Sequence, residues 1–203
     1  WFVLEVVTSD EPSASASPDY TSDAFKETVN FWRAWIGRST YKNRWREVVN
    51  RSALVLKLLT SREHGSIVAA PTFGLPETIG GVRNWDYRYS WIRDSSFTLY
   101  GLMRLGYTDE AAAFMRWITS LCQALEPDGS LQIMYAIDGR PAPAEEVLPH
   151  LDGYMGSRPV RVGNAASAHL QLDIYGELMD SVYLYDKYGA PISHDLWHNL
   201  VRL

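Results

Sequence analysis

The sequence predicts a mainly α-helical protein in which helical hairpins are arranged in a ring. Two observations predict this class. Apolar residues recur at helical spacing in several segments, and the connections between them alternate between short turns and long loops rich in glycine and proline. This alternation suits paired helices whose long loops gather at one rim. No period of about 34 to 47 residues recurs, so tetratricopeptide and HEAT arrays are disfavoured.

Residues 1–40 are predicted to precede the ring. Residues 1–7 are rich in β-branched and aromatic side chains, which indicates one β-strand. A single strand needs partner strands, and the helical pattern that follows does not supply them. Residues 9–18 are rich in serine, alanine and proline, a composition typical of a linker. Apolar spacing then predicts a short helix over residues 22–36.

The ring is predicted to begin with a helix over residues 41–60, followed by a long loop over residues 61–92. Two further helices are predicted, over residues 93–105 and from Thr108 onward, with a short turn at Gly106 between them. The apolar stripe predicted for the first helix consists of Trp45, Val48, Val49, Ser52, Leu56 and Leu59.

The second half of the chain repeats this alternation. A turn is predicted at residues 127–129 and a small hairpin at residues 131–139. An irregular segment leads into a long helix predicted over residues 165–188, and Ser193 starts a last helix.

Apolar surface is expected to stay uncovered at the ends of the sequence. The chain begins with Trp1 rather than Met, and residues 196–203 resemble a helix interrupted in mid-course. The apolar faces of the 41–60 helix and of residues 193–203 are therefore expected to lack partners. The isolated chain is expected to aggregate or to recruit a partner.

Composition excludes several partners. The 24 acidic residues against 19 Lys and Arg give a net charge of −5, without a basic patch for nucleic acid or an anionic membrane. No apolar run approaches the roughly 18–20 residues of a membrane span. The single cysteine, Cys122, favours a reducing compartment and hence a cytoplasmic location. The histidines are scattered without zinc spacing, so neither a metal nor a cofactor is expected.

Residues 80–94 carry the densest cluster of chemically informative side chains. Four aromatic residues alternate at a spacing of two, and Arg93 and Asp94 follow at a predicted helix start. Aromatic faces can bury the apolar side of a sugar ring, while an arginine and a carboxylate can hydrogen-bond its hydroxyls. The alternation is equally typical of a buried strand followed by a helix cap, so a structural role stays open. The aromatic residues are Trp85, Tyr87, Tyr89 and Trp91.

The 80–94 segment resembles the signature of glycoside hydrolase family 15, which contains glucoamylases, glucodextranases and a branch of trehalases. The likeness continues through residues 153–166 and 171–177, and residues 31–35 and 51–54 fit the prokaryotic branch. It extends over nearly the whole chain. The resemblance implies a glycosidase of carbohydrate metabolism and polysaccharide catabolism that acts on α-glucosides.

The resemblance also implies a fold, the N-terminal portion of an (α/α)6 barrel with its active site at the rim of long loops. Residues 41–203 would form the first part of this catalytic barrel, truncated before it closes. Residues 9–40 would be a linker with a short helix, and residues 1–8 the final strand of a preceding β-sandwich domain.

Binding positions follow from the resemblance residue by residue. The aromatic segment and the helix start after it match the subsite for the non-reducing terminal glucose, and the loop over residues 158–161 contributes to the same pocket. A structural role for the arginines of that loop stays open, because an Arg-Pro-x-Arg loop can also tie down carbonyl groups. The expected substrate-binding residues are Tyr87, Tyr89, Trp91, Arg93, Asp94, Arg158, Arg161 and Asn164.

Members of this family invert stereochemistry, with one carboxylic acid protonating the leaving oxygen and one carboxylate activating water. The resemblance places both groups downstream, so no catalytic residue is expected in residues 1–203. Asp94 is assigned to substrate binding instead, because its arginine neighbour favours the ionised carboxylate.

Two functions stay open at this point. The first is an exo-acting, inverting α-glucoside hydrolase that releases glucose from non-reducing ends of α-glucans or from trehalose, with this chain as its substrate-binding part and inactive alone. The second is a non-catalytic carbohydrate-binding or scaffolding relative that keeps the barrel. Maltooligosaccharides, isomaltose-type glucans and trehalose all present a terminal α-glucose, so the motifs do not choose among them.

Overall fold

The computed structural model describes residues 19–123 and 130–203. Helices dominate these residues, which confirms the mainly helical prediction. None of the helices in these two ranges combines the length and apolar character that crossing a bilayer requires. The predicted strand 1–7, the linker 9–18 and the turn 127–129 lie outside the described residues. The elements are α1 Tyr20–Gly37, α2 Arg46–Leu58, β1 Ser90–Trp91, α3 Ile92–Arg104, α4 Thr108–Gln123, β2 Met134–Tyr135, β3 Glu146–Val147, β4 Arg161–Val162, α5 Asp173–Tyr188 and α6 His194–Leu200.

The main hydrophobic core lies between α3, α4 and α5, and α6 packs on α4. Leu99 of α3, Phe114 and Ile118 of α4, and Leu178 of α5 have no exposed surface. Burying a side chain of this size contributes about 1.5–3 kcal/mol relative to leaving it in water. The apolar residues whose spacing predicts these helices are therefore the residues that the helices bury in the core.

The two apolar faces expected to lack partners differ from each other. Leu196 and Leu200 of α6 are each 3% exposed and belong to the main core, so the expectation for residues 193–203 is wrong. α4 covers this helix. On α2, in contrast, Val48 is 64% exposed and Leu58 is 68% exposed, as expected for a face without a partner.

The buried face of α2 overlaps its predicted stripe only in part. Trp45 and Val48 are exposed, whereas Ala53 is almost completely buried. Ala53 packs in a second, smaller core with residues that include Trp35 of α1 and Tyr107, which follows α3. The small alanine side chain lets α2 approach these rings closely, and a search for large apolar residues overlooks it.

A buried polar link joins α1 and α2 to α4. Glu110 is 4% exposed, and its Oε1 accepts a hydrogen bond from Trp35 Nε1 at 2.7 Å and pairs with Lys57 Nζ at 2.9 Å. Burial pushes the pKa of Glu110 up, but the bonds from Trp35 and Lys57 outweigh it and hold the pKa below its usual value. The Trp35 ring also stacks on Tyr107, with centroids 4.0 Å apart.

The long helix predicted over residues 165–188 is broken near its start. The Asn164 side chain caps a short 3-10 turn, Ala165–Ala168. His169 is then extended, with φ −80° and ψ 145°, so α5 begins only at Asp173. The break turns this part of the chain into a loop beside the start of α3.

Short antiparallel pairings hold the loops in place. β1 pairs with β2, and β3 pairs with β4. The hairpin predicted over residues 131–139 is present only in part. The Ala136 amide donates to the Arg140 carbonyl at 2.8 Å across a tight turn, but β2 takes β1 as its partner strand.

Candidate functional site

Two loop segments meet in an open cleft of about 320 Å³ near the start of α3. The first segment, residues 84–91, contributes aromatic side chains. The second, residues 145–169, contributes polar and small side chains. A cleft of this volume lies at the lower end of the range for small-molecule sites. It is lined by Trp85, Tyr87, Trp91, Glu145, Asn164, Ala165, Ala166 and His169.

The aromatic residues predicted to share one face divide between the cleft and the core. Tyr87 and Trp91 line the cleft with Trp85, and the Tyr87 and Trp91 ring centroids lie 6.1 Å apart. Tyr89 is buried, and its hydroxyl donates to Asp86 Oδ2 at 3.3 Å. Burial and the nearby Asp86 carboxylate raise the pKa of Tyr89. Tyr89 thus supports the aromatic wall from behind.

Asp86 is the polar centre behind this wall, with no exposed surface. Its Oδ1 accepts from the Arg88 amide and Nε, and its Oδ2 accepts from Arg88 Nη2, the Tyr89 hydroxyl and the Gly163 amide. Burial pushes the pKa of Asp86 up, but the bonds from Arg88 and Gly163 outweigh it and hold the pKa below its usual value. The ionised carboxylate therefore fixes the aromatic segment to the second loop.

Two asparagines complete this connection. Asn84, which has no exposed surface, donates from Nδ2 to the Ser157 carbonyl at 3.0 Å. Asn164 donates from Nδ2 to the Asp86 carbonyl at 3.1 Å and accepts from the Ala166 amide at 3.0 Å. Loops lack the regular backbone pairing of helices and sheets, so buried backbone groups need side-chain partners of this kind. Asn164 lines the cleft and also holds its two segments together.

Arg161 lies behind the polar edge of the cleft, with only 14% of its side chain exposed. Its Nη1 donates to the Val82 carbonyl at 3.0 Å and to Asn84 Oδ1 at 2.8 Å, and its Nε pairs with Glu145 Oε1 at 3.0 Å. Its guanidinium carbon lies 4.9 Å from the centroid of the Trp85 ring, a cation–π contact. The Arg161 guanidinium thus binds protein groups on several sides.

Arg93 and Asp94 lie in the first turn of α3, directly after Trp91. Arg93 Nη1 donates to Asp173 Oδ2 at 2.8 Å and to Gln171 Oε1 at 3.0 Å, and its Nε lies 3.8 Å from Asp94 Oδ2. The hydrogen bond to Asp173 is the main cause of the raised pKa of Arg93. The Arg93 and Asp94 side chains are 37% and 49% exposed, so a ligand can reach both.

Five of the eight predicted residues do not line the cleft, and Arg158 is one of them. It pairs with Asp152 on the surface, where the two side chains are 60% and 80% exposed. The structure does not place it among the residues that line the cleft.

Several residues of the site are absent from the predicted set, including Trp85, which the sequence marks only as one of the alternating aromatic residues. Asn84 and Asp86 alternate with the aromatic residues, and this spacing was a usable signal, because one set of alternating residues had to face inward. Glu145 and His169 lie in irregular segments where no periodicity marks them.

The cleft combines flat aromatic faces with a carboxylate, an amide and a histidine, and a charged pair stands at the adjacent helix start. This set suits a ligand that is apolar on its ring faces and rich in hydroxyls at its edges. Within the two described ranges, no group of three or more His, Cys, Asp or Glu side chains is placed to hold a metal ion.

Comparison with known families decides the assignment. The sequence profile described as Glycosyl hydrolases family 15 matches residues 43–202. The chain belongs to this family. It is 47% identical over 178 residues to the trehalase of Mycolicibacterium smegmatis. It is 43% identical over 186 residues to the trehalase of Mycobacterium tuberculosis and 41% identical over 172 residues to that of Thermoplasma acidophilum.

These similarities cover most of this chain and a small part of each relative. They extend over 87%, 91% and 85% of this chain, but over 27%, 27% and 29% of the three trehalases. The chain thus spans less than a third of the length of these curated relatives. No solved structure matches the chain.

Proposed function

We propose that this chain is the substrate-binding part of an exo-acting, inverting α-glucoside hydrolase whose substrate is trehalose. The observation that carries the proposal is the cleft itself, since the two family motifs meet there around Tyr87, Trp91 and Asn164. The trehalase names of the relatives favour trehalose over maltooligosaccharides and isomaltose-type glucans.

The fold proposal follows the family. Residues 41–203 form the first part of an (α/α)6 barrel, residues 9–40 are a linker with a helix, and residues 1–8 end a β-sandwich domain. The hairpin of α3 and α4, with its short turn at Gly106, and the long loops gathered near the start of α3 support this arrangement.

Recognition of a terminal glucose follows from the side chains present. Tyr87 and Trp91, whose ring centroids lie 6.1 Å apart, together cover one apolar face of the ring, as aromatic platforms do. Arg93 and Asp94 hydrogen-bond hydroxyls remote from the bond that is cut. A charge-assisted hydrogen bond contributes about 1.5–3 kcal/mol, so each of these two groups matters for affinity and for orientation.

The reaction consumes one water and releases two glucose molecules. One carboxylic acid protonates the glycosidic oxygen while a second carboxylate removes a proton from water. The water oxygen bonds to the anomeric carbon from the opposite face as the glycosidic carbon–oxygen bond breaks, so the configuration inverts. Both carboxyl groups are proposed to lie outside residues 1–203, and this chain holds and orients the sugar for them.

The test is the substitution Asp94→Asn in the full-length protein, assayed by glucose release from trehalose, maltose and isomaltose. We expect kcat/KM for trehalose to fall about 10- to 100-fold. The substitution removes a charged hydrogen bond of about 1.5–3 kcal/mol, and each 1.36 kcal/mol corresponds to a factor of ten in rate. The matched control is Asp180→Asn, an exposed carboxylate two turns along α5, which should retain full activity.

Unchanged kcat/KM in Asp94→Asn, with wild-type stability, would remove Asp94 from the site. Sugar binding without turnover in the full-length protein would instead support the non-catalytic relative.

A further inference from the structure

Glu145 stands out in the cleft because the functional assignment does not use it. It lies just before β3, and 20% of its side chain is exposed. Its Oε1 pairs with Arg161 Nε at 3.0 Å, and its Oε2 accepts from the Ala165 amide at 3.3 Å. The carboxylate is thus held by an ion pair on one oxygen and a hydrogen bond on the other.

An ionised carboxylate can accept about four hydrogen bonds, two on each oxygen. The two protein contacts of Glu145 therefore leave at least one acceptor position on each oxygen. The side chain belongs to the wall of the cleft, together with Trp85 and Tyr87. The remaining acceptor positions are the ones a ligand can use.

Arg161 makes this orientation rigid. Its Nη1 is committed to the Val82 carbonyl and Asn84 Oδ1, and its plane lies against the Trp85 ring. A guanidinium fixed on three sides cannot follow a ligand, so its Nε holds Glu145 in one position. Preorganised acceptors of this kind lose little entropy when a ligand binds.

We propose that Glu145 binds the substrate directly, accepting hydrogen bonds from one hydroxyl or two adjacent hydroxyls of a pyranoside, and that Arg161 is the positioning residue that aims it. The inference rests on the proposed function, because it names a further specificity-determining residue of the same cleft. It also gives Arg161 a role behind Glu145 rather than on the sugar.

The test combines Glu145→Gln with trehalose analogues that each lack one ring hydroxyl. In the full-length protein, binding is measured by the fluorescence change of the cleft tryptophans, and kcat and KM by glucose release. Glutamine keeps the shape and an acceptor for Arg161 but removes the charge. The matched control is Glu146→Gln, the exposed neighbour in β3, which should bind every sugar as the wild type does.

The expected result is a loss of affinity for trehalose of about 10- to 100-fold in Glu145→Gln. For the analogue that lacks the contacted hydroxyl, wild type and variant should bind almost equally, because the partner group is already missing. A merely structural role would weaken all analogues by the same factor, and that outcome overturns the inference.

Failure of the proposed function looks different. If the wild-type protein neither binds nor hydrolyses any α-glucoside, the proposed function falls and this inference falls with it. If trehalose is bound and cleaved but Glu145→Gln behaves as wild type, only the inference is overturned.

Should Glu145→Gln fail to fold, Glu145→Asp replaces it, since it keeps the charge and withdraws the carboxylate by one methylene. It should show the same hydroxyl-specific loss, and a uniform loss contradicts the inference.

Discussion

Two Asp-x-Arg turns in this chain share one backbone contact, from the arginine amide to the aspartate Oδ1, and differ in their surroundings. In the first, Asp86 Oδ1 accepts from the Arg88 amide at 3.2 Å and Oδ2 from Arg88 Nη2 at 2.8 Å. In the second, Asp138 Oδ1 accepts from the Arg140 amide at 3.1 Å and Oδ2 from Arg140 Nε at 2.7 Å. The pKa of the aspartate is lowered in both turns.

The surroundings decide what each turn does. Asp138 and Arg140 are 30% and 82% exposed, so water competes for every bond they make. Asp86 is fully buried and gains two more donors, the Tyr89 hydroxyl and the Gly163 amide. The local motif only closes a turn. The same motif organises a cleft when hydrogen-bond donors from a distant loop also reach its aspartate, and when burial excludes water from the carboxylate.

The largest effect expected from this comparison is that of Asp86→Asn on folding. The amide offers one acceptor oxygen and one NH2 group, so in either orientation its NH2 faces donors from Arg88. We expect the free energy of unfolding to fall by about 2–4 kcal/mol, toward the lower end because Arg88 is 40% exposed and partly hydrated. Urea unfolding followed by circular dichroism measures the change.

Asp138→Asn is the matched control, since it removes the same charge from the same local motif. It should change the free energy of unfolding by less than about 1 kcal/mol, as surface ion pairs do. Equal losses in the two variants would show that burial adds nothing to the Asp86 turn.

The parts of the fold that could be predicted from sequence are those that bury a continuous stripe. The helix predicted over residues 93–105 is α3, Ile92–Arg104, because one face of it is packed in the main core. The predicted stripe of α2 matches only part of its buried face, because the stripe omits the small Ala53. The start of α5 differs from the prediction because the chain becomes extended at His169, after a short 3-10 turn, and periodicity does not mark that break.

The candidate site divides in the same way. The aromatic residues of the cleft could be found because they are dense in sequence. The roles of Asp86 and Glu145 could not, because each depends on partners brought together by folding. The Gly163 amide that reaches Asp86 lies 77 residues along the chain, and no local pattern encodes that meeting.

A smaller effect is expected for Tyr89→Phe, which removes one donor from the Asp86 turn and leaves the aromatic ring in the core. The expected loss in the free energy of unfolding is about 0.5–1.5 kcal/mol, the typical net contribution of one hydrogen bond. In the part of the chain that the structure describes, Asp138 has no such third partner to remove. If Tyr89→Phe instead abolishes trehalose hydrolysis at wild-type stability, Tyr89 contacts substrate directly, as first predicted from the sequence.

The smallest expected effect concerns the pH dependence of stability. The pKa of Asp86 is lowered in the folded chain, so between its folded value and the unfolded value of about 3.9 only the unfolded state binds the proton. Its contribution to stability is therefore complete above that window and is lost as the pH falls through it, at no more than about 1.36 kcal/mol per pH unit.

Asp138 should lose stability in the same direction, because hydrogen bonds from Arg140 lower its pKa, but its charge is at the surface. At 1 M salt, where the Debye length is about 3 Å, the Asp138 contribution should shrink and that of Asp86 should persist. Unfolding free energies between about pH 2 and 5, measured for wild type, Asp86→Asn and Asp138→Asn at low and high salt, give the difference. An Asp86→Asn profile parallel to wild type would mean that Asp86 titrates alike in both states and that the buried turn confers no acid sensitivity.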